Sequence, residues 1–289
     1  MGQDIVVNGL INGSIYALLA VGFSLIFGVA RLVNIAHTAL YMTAAYLIYI
    51  GLNHWGISSL LAVLSSILFT VALGLVCYQL FIKPIREHEA AVLIATIALA
   101  MIIQEIFLLG FGGHYLGVPP LATGYFMVGS IKVANQHLLA LGVAVLALVA
   151  TWLLLFKTRI GLAIRCTAQD REVANLMGIN VNREIMVALG ISVGMAAVAG
   201  AIVAPLSVID PHMWLHPLIM MLAIVVLGGL GSIKGSFIAS YILGFAEAVV
   251  VFVVPMGAFL KGSVALSIMI LVLLIRPEGL FGVAFEEER

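Results

Sequence analysis

Three polar side chains stand where charge is expensive. Gln104 and Glu105 fall inside one long apolar run, and Glu247 falls inside another. Such groups at membrane depth turn toward protein rather than lipid. The chemistry open to them is hydrogen bonding between helices, the polar lining of a pathway, or an ion or proton site. A proton relay is the least supported of these, because neither acid has a basic residue at like depth along the sequence. Asn8, Asn12, Ser14 and Tyr16 make a polar face entering the first apolar run, and Asn34 and His37 sit near its far end. A structural role and pathway lining both stay open for them.

A second constellation is a concentration of charge. The chain holds thirteen basic and thirteen acidic residues, and seven of these, Arg159, Arg165, Asp170, Arg171, Glu172, Arg183 and Glu184, lie between 158 and 184. The spacing there predicts one short helix over Ala168–Met177. Thr167 is its N-cap and Asp170, three residues on, gives a Thr-x-x-Asp variant of the capping box. Asp170 and Glu172 in the first turns suit the helix dipole, and Gly178 is a natural C′ residue, held at positive φ. Val173, Leu176 and Met177 share one side, against polar Gln169, Arg171 and Asn175. A ten-residue helix is marginal alone in water, so it packs either on its own domain or on a partner.

Other chemistries lack their residues. The sequence has no GxxxxGK[ST] loop; "GGLGSIKGS" at 228–236 has the right residue types at the wrong spacing. There is no nucleophile elbow, zinc motif or two-carboxylate pair, and the seven histidines are scattered. Cys77 lies in an apolar run and Cys166 in the charged stretch, so neither a disulfide nor a metal site is expected. A formal net charge of zero carries no signature for nucleic acid. No catalytic residue and no directly bound cofactor are expected.

The elements that position these groups are membrane helices. The chain is 64% hydrophobic, and only 9% of its residues are charged, against roughly 25% in a soluble domain. The apolar runs predict an all-α polytopic fold, a single domain over 1–289, with nine segments near 5–29, 37–52, 57–82, 90–112, 136–156, 184–208, 216–230, 236–254 and 262–275. A span needs about 20 residues; the second, seventh and ninth are short by that measure, so eight to ten transmembrane or re-entrant helices are consistent. Cytoplasmic loops retain lysine and arginine. With 157–184 inside, alternation puts Arg31, Lys83, Arg86, Lys157, Arg159, Arg165, Arg171, Arg183, Lys234, Arg276 and Arg289 inside, and only Lys132 and Lys261 outside. The N-terminus is then outside and the C-terminus cytoplasmic, and without a basic n-region no cleaved signal peptide is expected. Tyr115, Tyr125 and Phe126, and Trp214 in "DPHMWLHP" at 210–217, suit an outer interfacial belt. Gly9 and Gly13, Gly190 and Gly194, and Ser236, Ser240 and Gly244 repeat at four residues, the spacing of close helix contact in lipid.

"RCTAQDREVANLMGIN" at 165–180 resembles the cytoplasmic coupling loop of bacterial ABC-importer permeases, with Glu172-Val173-Ala174 and Gly178 matching its Glu-Ala-Ala-x3-Gly core. The Ile-x-Leu-Pro element of the general pattern is absent. The nearer resemblance is to the H-type permeases of the high-affinity branched-chain amino-acid transport family, and it extends to "NGLINGSIYALLAVGFSLIFGVARLVNIAH" at 8–37, "VLGGLGSIKGSFIASYILGFAEA" at 226–248 and "RPEGLFG" at 276–282. One departure is Thr38, which follows Asn34-Ile35-Ala36-His37 where the family usually has glycine.

The resemblance implies a multi-pass permease of a prokaryotic plasma (inner) membrane, importing branched-chain or other hydrophobic amino acids by alternating access. It implies a second homologous permease, two ATPase subunits that hold ATP-Mg, and an extracytoplasmic binding protein. Thr167, Gln169, Asp170, Glu172, Val173, Ala174, Leu176, Met177 and Gly178 would then couple to the ATPases, with Ala174 close to the partner surface. Uptake of urea or short amides, and an ion-coupled secondary transporter using Glu105 or Glu247, are the rival readings; an intramembrane enzyme ranks last.

Overall fold

The computed structural model describes residues 2–128 and 131–282. Arg289, part of the basic-residue pattern, lies outside the described residues. In chain order the helices are α1 (Gly2–Ala30), α2 (Ala36–Asn53), α3 (Ser59–Cys77), α4 (Glu89–Phe111), α5 (Asn135–Lys157), α6 (Arg159–Gln169), α7 (Arg171–Leu176), α8 (Val181–Val203), α9 (Leu215–Gly228), α10 (Ile233–Val253) and α11 (Lys261–Ile275). A helix stands on each of the nine apolar segments. Among the described residues six are long and apolar enough to cross a membrane, namely α1, α3 with its continuation to Ile85, α4, α5, α8 and α10; α9 and α11 are shorter apolar helices.

Burial sorts these helices into two layers. α1 is 83% buried over its most apolar window and α8 67%, whereas α3, α4 and α5 are only 22 to 28% buried. α1 and α8 are the central posts, with α2 packed between α8 and the outer helices α3 and α4. The outer helices display Leu68, Leu109 and Leu146, each more than 70% exposed. In water that surface would aggregate; in a bilayer it is the solvated face, and the helix satisfies its own backbone. The chain is a polytopic, mainly helical membrane protein.

Small residues set the closest seam, between α1 and α10. A Cβ on Gly244 would stand 2.6 Å from the backbone nitrogen of Gly13, and one on Gly9 would collide with the Phe245 ring. Ser24 and Ser236 share a short hydrogen bond lower on the same seam. Gly190 and Gly194 differ from that expectation: Cβ atoms there would meet side chains only at 4.0 and 3.7 Å, ordinary contact. Thr38 also raises no difficulty. It lies inside α2 and has no positive φ, so no turn there requires glycine.

Three local expectations are corrected. An antiparallel hairpin, β1 (Tyr125–Val128) and β2 (Ile131–Ala134), interrupts the helical pattern between α4 and α5. Trp214 of "DPHMWLHP" turns inward instead of joining an exposed belt, while His212 and Leu215 beside it stay exposed. Ile209 is fully buried and Trp214 is 5% exposed. The segment folds in ahead of α9, whose 14 residues span only about 21 Å. Ile209 exchanges two 2.9 Å backbone hydrogen bonds with Leu116, which satisfy its buried backbone. Finally, the charged stretch forms two helices, α6 and α7, rather than one.

Candidate functional site

At the end of the bundle where α1 begins, the starts of α5, α9 and α11 and the ends of α8 and α10 surround a cavity of about 330 Å³. That is at the small end of the roughly 300–1,000 Å³ range of ligand pockets. Of the residues singled out by sequence, Asn8, Asn12, Tyr16 and Glu247 meet there. Glu247 is 2% exposed. Tyr16 Oη donates to its Oε2 at 2.6 Å, and Lys261 Nζ stands 3.0 Å from its Oε1. Oε1 nevertheless makes no hydrogen bond, so the lysine approaches off the hydrogen-bonding directions and the contact is ionic. Sequence reading gave Glu247 no basic partner and assigned Lys261 to an outer loop. The turn between α10 and α11 brings the two together.

The opposite end carries the charged loop. Thr158 caps α6, accepting from the Gly161 amide at 3.1 Å. Thr167 is not a cap: it is buried inside α6 and its hydroxyl donates to the Ala163 carbonyl. Asp170 takes the capping role, extended at φ −151, with Oδ1 accepting from the amides of Glu172 at 2.8 Å and Val173 at 3.0 Å. Asp170 therefore ends one helix and starts the next. Gly178 closes α7 at φ +83 as expected. Its amide donates to Asn175, and that of Ile179 to Ala174, the paired bonds of a Schellman ending.

Arg171 anchors α7 to α1, its Nε donating to the Val29 carbonyl at 3.0 Å. Its guanidinium pKa is lowered by burial first, then by the charges of Arg31 and Arg86. Ala174 is the α7 residue turned inward, at 3% exposure, so it faces its own domain and not a partner. Val173, Leu176 and Met177 are 53, 85 and 78% exposed. Gln169 and Glu172 are exposed beside them.

A profile of the family described as "Branched-chain amino acid transport system / permease component" matches residues 5–274. BraD, a high-affinity branched-chain amino acid transport system permease protein of Pseudomonas aeruginosa, is 32% identical over 96% of this chain and 94% of its own length. The permease LivH of Escherichia coli is 30% identical, covering 95% of this chain and 94% of its own. The chain belongs to the branched-chain amino acid permease family. Among solved structures, PsaBC from Streptococcus pneumoniae in complex with Fab aligns with a TM-score of 0.53 over 96% of this chain and 94% of that one, at 15% identity, a likeness of fold alone.

The other residues singled out by sequence lie apart from the permease cavity. Ser14 bonds the Leu10 carbonyl at 2.7 Å and Tyr241 Oη at 2.9 Å, on the α1–α10 seam. Gln104 accepts from Trp214 Nε1 at 2.8 Å and so holds the segment before α9 against α4. Glu105, its neighbour, points outward and is exposed. Asn34 and His37 are buried toward the loop end, with His37 Nδ1 3.5 Å from Ser192 Oγ. Sequence reading missed Tyr41, His137, His216 and Lys261 as cavity residues. Helix-start positions for His137, His216 and Lys261 were the available signal.

Proposed function

We propose that this chain is the membrane permease subunit of an ATP-driven importer of branched-chain or other hydrophobic amino acids in a prokaryotic inner membrane. Its N-terminus is outside and its C-terminus cytoplasmic. The nine apolar helices all contribute to the span, with the buried segment before α9 completing that short helix. A second permease, two ATPases holding ATP-Mg and an external binding protein complete the assembly. BraD and LivH, relatives across nearly the whole chain, are named for branched-chain amino acid transport, which supports the substrate class.

The observation that carries this reading is the apolar triplet Val173, Leu176 and Met177, exposed on a helix fixed at both ends and tied to α1 through Arg171. Covering Leu176 and Met177 would recover roughly 1.5–3 kcal/mol each, and half-exposed Val173 less. A groove on an ATPase is the natural cover, and movement of that groove would be transmitted through Arg171 to the central post α1. The Glu247 carboxylate already has Lys261 as its counter-charge, which disfavours an ion-coupled transporter using it.

The test is reconstitution of the chain with candidate partner ATPases, a second permease and a binding protein. ATP-dependent uptake of L-leucine is expected, with an Asp170→Cys variant labelled by an impermeant thiol reagent only from the ATPase side. Uptake that persists without ATPases would overturn the reading.

A further inference from the structure

The cavity places a buried carboxylate and a partly exposed ammonium side by side in a wall that is otherwise mixed, with Asn12, His137 and His216 beside aliphatic side chains. As a helix staple this arrangement is poor. A buried ion pair recovers its desolvation cost only with full hydrogen bonding, and an apolar replacement of similar volume is often as stable. Here Glu247 Oε1 has no hydrogen bond, and the Lys261 side chain is 36% exposed, with three N–H donors to offer. Both groups border the same 330 Å³ space, where Ile11, Ile15, Leu206 and Met213 supply apolar surface.

We propose that this cavity is a transient binding site for a zwitterionic α-amino acid with an aliphatic side chain, Lys261 taking its carboxylate and Glu247 Oε1 its ammonium group. The assignment rests on the import reading above and deepens it by locating one stop of the substrate within a single permease. Charge is conserved throughout: the ligand brings one positive and one negative group, and each finds the opposite sign already in the wall. No uncompensated charge is buried at any stage. Tyr16 holds the second carboxylate oxygen, so Glu247 keeps its orientation while it exchanges partners. The site is necessarily weak, because binding loosens the existing ion pair, and a conducting site must release what it takes.

The test uses the purified transporter complex without its binding protein, and radiolabelled L-leucine as the probe. Isopentylamine lacks the carboxylate and 4-methylpentanoate lacks the ammonium. Each is expected to compete at least ~10-fold more weakly than unlabelled L-leucine, since each leaves one buried charge unmatched. In the Glu247→Gln/Lys261→Gln double variant, L-leucine should fall to the level of the analogues. An ion pair that only staples α10 to α11 would not move this discrimination. Equal competition by all three compounds in the wild type overturns the proposal, as does a double variant that keeps the preference, or no L-leucine binding by a complex that imports it. The analogue comparison needs only the wild type, so it stands if the variant fails to fold. Absence of ATP-driven L-leucine uptake in the reconstituted wild-type system would instead overturn the import reading.

Discussion

The two ends of the bundle handle polar groups in opposite ways. Where α1 begins, charge is withdrawn into the protein: Glu247 is buried, hydrogen-bonded by Tyr16 and matched by Lys261. At the other end charge is left outside, and apolar side chains join it there, with Leu176 and Met177 the most exposed apolar residues of α7 and its cap. Buried charge contributes to stability chiefly by not being left alone. Exposed apolar surface contributes nothing to the isolated chain and is useful only when covered. Substitutions at the first end should therefore be felt by the fold, and those at the second by assembly.

The sharpest way to break this contrast is to remove one member of the ion pair. Lys261→Met should destabilise the protein by about 2–4 kcal/mol, somewhat below the range for a fully buried pair because the lysine is partly exposed. Thermal unfolding of the purified protein in detergent reads this directly, and adding Glu247→Gln should recover most of the loss. An unchanged melting point in the single variant would place the pair's charge in solvent. Next in size is Gly244→Val, whose first added atom already stands 2.6 Å from the Gly13 nitrogen. About 1–3 kcal/mol of overpacking is expected, whereas Gly190→Ala, with nothing nearer than 4.0 Å, should melt as wild type. Smaller again is Gly178→Ala. No atom lies near its Cβ position, so the cost is the left-handed backbone alone, about 1 kcal/mol, read as faster proteolysis of the loop.

Gly178 shows what sequence can tell. Its place after a run of helix formers dictates a positive φ whatever packs around it, and that local fact survived in the structure. The polytopic helical character of the chain was legible for the same reason, because a bilayer imposes length and composition directly. The start of α7 was not. Gly161, Ile164 and Thr167 form a buried stripe at helical spacing, but charged residues between them made the stretch read as loop, and the cap was placed at Thr167 instead of Asp170. The partner of Glu247 was hidden for a different reason. Lys261 is 14 residues away in sequence, beyond any local pattern, and only the return of α11 beside α10 brings them together. Ala174 was misjudged because α7 turns one narrow face inward, and six residues carry too little periodicity to tell which.

In the proposed assembly α7 is a docking element whose apolar face serves assembly and not folding. The most direct test is a Leu176→Asp/Met177→Asp variant of the full transporter, purified through a tag on this chain. Both side chains are already in solvent, so stability should stay within about 0.5 kcal/mol of wild type. Normal membrane insertion and melting are expected, with the ATPase subunits missing from the purified complex and ATP-driven uptake lost. ATPases retained at wild-type stoichiometry, with uptake at the wild-type rate, would contradict it.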